Sequence, residues 1–161
     1  MMLTICDTSP LLYLHLVGQL ELLHLLYNDI VIPPAVQSEL VVGANQGVNV
    51  PEPLQISWIR VIPVQAQALM PIVTDLGLGE SEVIGLALEH QGSRIIMDDQ
   101  LGRHIAAANQ MTLTGTLGVL LKAKQAGHLN EIKMLLNALR TAGLWMSDIL
   151  VESVLSQANE A

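Results

Sequence analysis

The chain has no phenylalanine, and aromatic residues fill only 2% of its 161 positions. Any core it builds must therefore be aliphatic. It has one cysteine, Cys6, which excludes an internal disulfide and fits a reducing compartment. Cationic residues are scarce: seven Lys and Arg stand against fifteen Asp and Glu, for a net charge of −8. The shortage is uneven. Residues 1–93 carry one base, Arg60, and nine acids, whereas residues 94–161 carry six of each. Proteins that hold nucleic acid by charge alone are basic, so any such contact here must be local or metal-assisted. A membrane-spanning run is also missing. The greasiest stretch, Leu11 to Tyr27, is interrupted by His15, Gly18, Gln19, Glu21 and His24, most of which a span would exclude. The first residues reach Asp7 without a basic segment, so no secretory leader is read there and a cytoplasmic location is expected.

What the chain does have is aliphatic bulk. It is 51% hydrophobic and 14% charged, with a mean hydropathy of +0.47. That suffices for one domain over residues 1–161, with surplus apolar surface for a homo-oligomer interface. Short apolar runs alternate with helical patterns. Strands are expected at Leu3–Cys6, Asp29–Ile32, Trp58–Ile62, Arg94–Met97 and Met111–Thr114. Between and after them the spacing predicts helices over 10–17, 20–27, 34–42, 64–76 (broken at Pro71), 79–89, 100–109, 117–126, 130–142 and 147–159. This alternation predicts an α/β fold with a central parallel sheet covered on both faces.

Ligands of open α/β sheets bind beyond the carboxyl ends of the strands. Asp7, the Asp98-Asp99 pair and Thr114 all fall at such ends. Adjacent carboxylates repel, and a cation between or above them relieves the repulsion. Helical spacing places Glu39 with Ala35 and Val36, and Glu80 with Val83, Ile84 and Ala87, on inward faces; Glu82 and Glu89 fall on the opposite, solvent-facing side. Carboxylates without a Cys/His cluster select a hard cation, Mg2+ or Mn2+, over zinc. Such an ion suits phosphodiester hydrolysis. Arg103, four residues after Asp99, either pairs with it or meets a phosphate. Two other folds fit less well. A phosphoacceptor receiver needs a lysine at a strand end, and Lys122 and Lys124 fall inside a helix; Gly77-Leu78-Gly79 lacks the third glycine of a dinucleotide loop.

Taken together, Cys6-Asp7-Thr8-Ser9-Pro10-Leu11, Ile32-Pro33-Pro34-Ala35-Val36 before Glu39-Leu40, Leu78-Gly79-Glu80-Ser81-Glu82, Ile95-Ile96-Met97-Asp98-Asp99 with Gly102-Arg103, and Thr114-Gly115-Thr116-Leu117 resemble the PIN-domain (PilT N-terminal-like) nucleases, among them the VapC-type toxins. The resemblance implies a three-layer α/β/α sandwich and an acidic Mg2+ or Mn2+ site. It also implies cleavage of single-stranded RNA, a homodimer, and inhibition by a small antitoxin protein. By position it makes Asp7, Glu39 and Asp99 the metal ligands, with Glu80 and Asp98 also in the catalytic set. Glu80 stands where the family usually has Asp. Thr114 and Thr116 match a supporting polar position, and Arg103, Lys122 and Lys124 are the candidates to hold RNA. The alternative is a PIN-like binding or regulatory module with little or no turnover.

Overall fold

The computed structural model describes residues 2–71 and 75–161. Five strands of three residues each, β1 (Thr4–Cys6), β2 (Ile30–Ile32), β3 (Ile59–Val61), β4 (Arg94–Ile96) and β5 (Thr112–Thr114), form one sheet. Its order is β3-β2-β1-β4-β5, and every pairing is parallel. The central strand β1 and its neighbour β2 are buried at every position. Parallel strands covered on both faces read as continuous apolar runs for this reason.

Eight helices complete the described residues: α1 (Thr8–Leu16), α2 (Glu21–Tyr27), α3 (Pro34–Asn45), α4 (Leu78–Glu89), α5 (Gln100–Ala108), α6 (Thr116–Gln125), α7 (Lys133–Ala142) and α8 (Asp148–Gln157). α4 packs on β1 and β4 and is flanked by α3 and α5. α6 packs between α2 and α8, and α1 touches α3, α6 and α7. The result is the expected helix–sheet–helix sandwich. Its core is aliphatic, with Ile5, Leu14, Ile32, Ile84, Ile95 and Met97 among its fully buried side chains. No helix among the described residues is long and apolar enough to cross a membrane.

One expected helix is absent. In place of a helix over 64–76 the chain makes a single 3-10 turn, Gln67–Leu69; residues 72–74 lie outside the described part. Pro63 and Pro71 leave too few residues between them to repay the cost of starting an α-helix. The Ala66 N–H instead donates to the carboxylate of Glu89, which was expected in solvent.

The C-terminal helices are tied down by one carboxylate. Glu160 accepts from the Lys124 ammonium at 2.9 Å and from the Ile132 and Lys133 N–H groups at 2.9 and 3.0 Å. The latter two are orphan donors at the start of α7. Desolvation pushes the Glu160 carboxyl up, but Lys124 and the two N–H groups outweigh it and hold it below the ordinary glutamate value of 4.5. Its contribution to stability is thus present above about pH 4.5 and fades as pH falls through the lower folded value. Glu160→Ala is expected to destabilise the fold by ~1–3 kcal/mol, read by denaturant melts at pH 7. The loss should shrink on acidification.

Candidate active site

The sheet order makes the β1–β4 boundary special. From β1 the chain moves outward through β2 to β3, then returns to the other side for β4 and β5. Connections diverge at this boundary and open a crevice beyond the strand ends. Asp7 follows β1 and the Asp98-Asp99 pair follows β4. Their level is set by the Asp7 N–H donating to the Ile96 carbonyl at 2.9 Å and the Met97 N–H to the Thr114 carbonyl at 2.9 Å.

Asp7 occupies the cap position of α1, one residue before the helix, yet its side chain makes no capping hydrogen bond. It is 1% exposed. Its Oδ1 is the one buried side-chain oxygen or nitrogen among the described residues without a hydrogen-bond partner. A buried, unpartnered carboxylate is costly unless it binds a proton or a cation. Burial first, then the charge of Glu80, then that of Glu39, push its carboxyl up to about 8, against the pull of the Thr8 N–H. Glu80 is near enough to share a proton with it. Glu80 is itself held above its usual range by burial and by the charges of Glu39 and Asp99, against its own backbone N–H. Asp7, Glu39, Glu80 and Asp99 therefore lie within one electrostatic neighbourhood.

Two glycines before and beside Glu80 make room for these acids. A Cβ on Gly77 would run into the Glu80 carboxylate, and one on Gly79 would lie 2.7 Å from Glu39 Oε1. Neither glycine has a positive φ, so space rather than backbone freedom is what they supply. Glu39 was expected on an inward face. It is exposed, because it sits at the carboxyl edge of the sheet, where its carboxylate accepts from the Thr8 hydroxyl and rests against Gly79. Glu82 is a second correction. Its Oε2 accepts from the Ala35 N–H at 2.7 Å, serving the start of α3, where Pro33 has no side chain able to cap. That bond locks α3 to α4 and keeps Glu39 beside Gly79. Gly79→Ala should leave the melting temperature unchanged or slightly raised, since Ala favours the helix. It should displace Glu39 and weaken Mn2+ binding several-fold by calorimetry.

The paired aspartates divide their labour. Asp98 is saturated: Oδ1 accepts from Thr116 N at 2.8 Å, and Oδ2 from the Thr116 hydroxyl at 2.6 Å and from Ser9 at 3.1 Å. It fastens α1 and the start of α6 to the end of β4, so its place is to position the site. Asp99 is exposed and caps α5 through Oδ2, which accepts from Gly102 N at 2.8 Å. Asp98→Ala strips three donors of their acceptor and should cost ~2–4 kcal/mol in a denaturant melt.

The other candidates separate as well. Arg103 does not pair with Asp99; it donates to the Met97 carbonyl at 2.8 Å and lines the crevice. Thr114 also lines it. Thr116, read as a supporting polar position, is fully buried with its hydroxyl committed to Asp98, so it supports the site from behind and is closed to substrate. Lys122 lies over the Tyr27 ring, 4.7 Å from its centroid, away from the crevice. Lys124 is held by Glu160. Neither lysine stands ready at the site. Ser9 and the two glycines were missed as site-builders; the Gly77-Leu78-Gly79 spacing before Glu80 was the signal for the glycines, and the nearness of Ser9 to Asp7 the signal for Ser9.

The crevice encloses about 800 Å3. Its lining includes the charged Asp7, Glu80, Asp98, Asp99 and Arg103 and the apolar Leu117, Leu121, Leu144 and Trp145. Among the described residues, no three Asp, Glu, His or Cys side chains are gathered as a finished ligand set for a metal ion. The orphan Asp7 oxygen and its acidic neighbours nevertheless fit a hard cation by chemistry.

In an open α/β sandwich the switch point, here flanked by Asp7 and the Asp98-Asp99 pair, is where ligands bind. Residues 3–160 match the family model DUF3368, described as a PIN domain, and the chain belongs to that family. PIN domains are generally nucleases, so the fold is of nuclease type and nucleic acid is the implied substrate. No curated protein and no solved structure matched the chain.

Proposed function

We propose that the protein, one domain over residues 1–161, is a divalent-metal-dependent ribonuclease that hydrolyses single-stranded RNA, and that it is the toxin of a VapC-type toxin–antitoxin pair. The observation that carries the reading is the Asp7 carboxyl, buried, with its Oδ1 unpartnered, and crowded by other acids at the switch point of the sheet. Asp7 would hold Mg2+ or Mn2+ with Glu80 nearest, and Glu39 and Asp99 would join directly or through water. When bound, the ion supplies charge neutralisation at the phosphate and acidifies a water. The chain's own residues do the rest. Asp98 and Ser9 fix the loop that carries Asp99; Thr8 and Gly79 fix Glu39; Arg103 faces the crevice where a phosphate oxygen would lie. Glu80, whose proton affinity is raised by burial and by the charges of Glu39 and Asp99, would give up its proton as the ion binds.

The test is cleavage of a mixed single-stranded RNA pool in Mg2+ or Mn2+ against EDTA, with 5′-phosphate ends sought on the products. Absence of cleavage with either ion rejects the enzymatic reading. The toxin assignment predicts growth arrest on expression, relieved by a small co-purifying protein from an adjacent reading frame. A homodimer and a cytoplasmic setting belong to the same proposal. The alternative, a binding module without turnover, draws on the lack of a finished ligand set among the described residues and on lysines engaged elsewhere. It predicts partner binding without metal uptake by calorimetry.

A further inference from the structure

The crevice is far larger than a hydrated ion requires, and its apolar lining has no part in the hydrolysis outlined above. Only four aromatic residues occur in the chain, Tyr13, Tyr27, Trp58 and Trp145. Two of them, Tyr13 and Trp145, line this crevice. Trp58 is buried and stacks on His24 with ring centroids 5.3 Å apart. Trp145, by contrast, is 77% exposed. It lies in the short connection between α7 and α8, and Gly143, at the end of α7, has φ +110°, which turns the chain back over the crevice near the Tyr13 hydroxyl. An indole left in water beside a polyacidic pocket forfeits the burial that usually keeps Trp inside.

We propose that the apolar lining of the crevice forms a nucleobase subsite, and that Trp145 stacks on the base flanking the scissile phosphate of a single-stranded nucleic acid. The inference rests on the nuclease reading and adds the base-binding wall to it. Every base has a π-face, so stacking grips single strands without needing cations. That answers the shortage of free Lys and Arg, since Lys122 and Lys124 are engaged elsewhere. Volume agrees: about 800 Å3 accommodates a nucleoside beside the acidic side chains. Trp145 also neighbours exposed Ile149 and Leu150 on α8, so contact with a second protein is the competing use of the patch. Trp145 and Leu150 line the crevice that holds the acids, whereas Ile149 does not, so the indole borders the same cavity as Asp7 and Glu80.

The test uses the intact protein and a short mixed-sequence oligoribonucleotide. Because Trp58 is buried, added oligonucleotide should quench mainly Trp145 emission. We expect saturable quenching that disappears in Trp145→Ala and with an abasic version of the same oligonucleotide. KM for cleavage should rise about ten- to hundredfold in Trp145→Ala with kcat within about threefold, and Trp145→Phe should restore most of it. Binding and KM within twofold of wild type in Trp145→Ala would overturn the proposal. So would a dimer-to-monomer change on sedimentation with oligonucleotide binding unaltered. Quenching without cleavage in Mg2+ or Mn2+ sinks the hydrolytic reading and leaves the base subsite standing; cleavage without quenching does the reverse.

Discussion

Replacing Asp7 with Asn is expected to lower RNA cleavage by about a thousandfold or more while leaving the fold intact. The side chains are nearly isosteric, so packing against β1 and α1 is kept. What is lost is the buried carboxylate oxygen facing Glu80 and Glu39 that a divalent ion would hold in place of a proton. A divalent ion contributes several kcal/mol of charge stabilisation in phosphoryl chemistry, and each 1.36 kcal/mol is a factor of ten in rate. Circular dichroism should be unchanged. Residual activity within tenfold of wild type would remove Asp7 from the centre of the site.

The same substitution should stabilise the metal-free protein at alkaline pH. The Asp7 carboxyl has a folded value of about 8 against an ordinary 3.8. Between those values the folded state binds a proton that the unfolded state does not, so stability falls as pH rises from about 4 to 8 and levels off above. Asp7→Asn abolishes that slope. In EDTA, wild type and variant should be alike near pH 4, and the variant should be more stable by a few kcal/mol near pH 9. Mn2+ should restore wild-type stability at high pH by taking the proton's place. Ligand at a hundredfold excess over its dissociation constant contributes ~2.7 kcal/mol. It should do little for Asp7→Asn. Urea melts across pH, with and without Mn2+, give all four comparisons.

Strands and site differed in how far they could be read in advance. Thr4-Ile5-Cys6 and Arg94-Ile95-Ile96 could be read as buried parallel strands, and the acids that follow, Asp7 and the Asp98-Asp99 pair, inherit their position from them. Periodicity was enough for α4 as well, because Val83, Ile84 and Ala87 share one buried face. It was insufficient where partners come from distant residues. Glu82 reaches Ala35 across 47 positions, and Thr116 and Ser9 reach Asp98 across 18 and 89. A helical wheel sees none of these, so it placed Glu82 in water, and the family resemblance could not show that the Thr116 hydroxyl is spent on Asp98. It also could not tell an inward helix face from the edge of the sheet, where Glu39 sits exposed yet turned to its neighbours. Lys122 looked available from composition alone, but the Tyr27 ring that holds it is 95 residues away.

The account depends on Asp7 and its neighbours accepting a single hard ion. Anomalous diffraction from crystals soaked in Mn2+ addresses that directly. A peak in contact with Asp7 Oδ1, with the Glu80, Glu39 or Asp99 carboxylates oriented toward it, is the predicted result. A site that stays empty at saturating Mn2+, or a peak held by other residues with Asp7 still unpartnered, would contradict it.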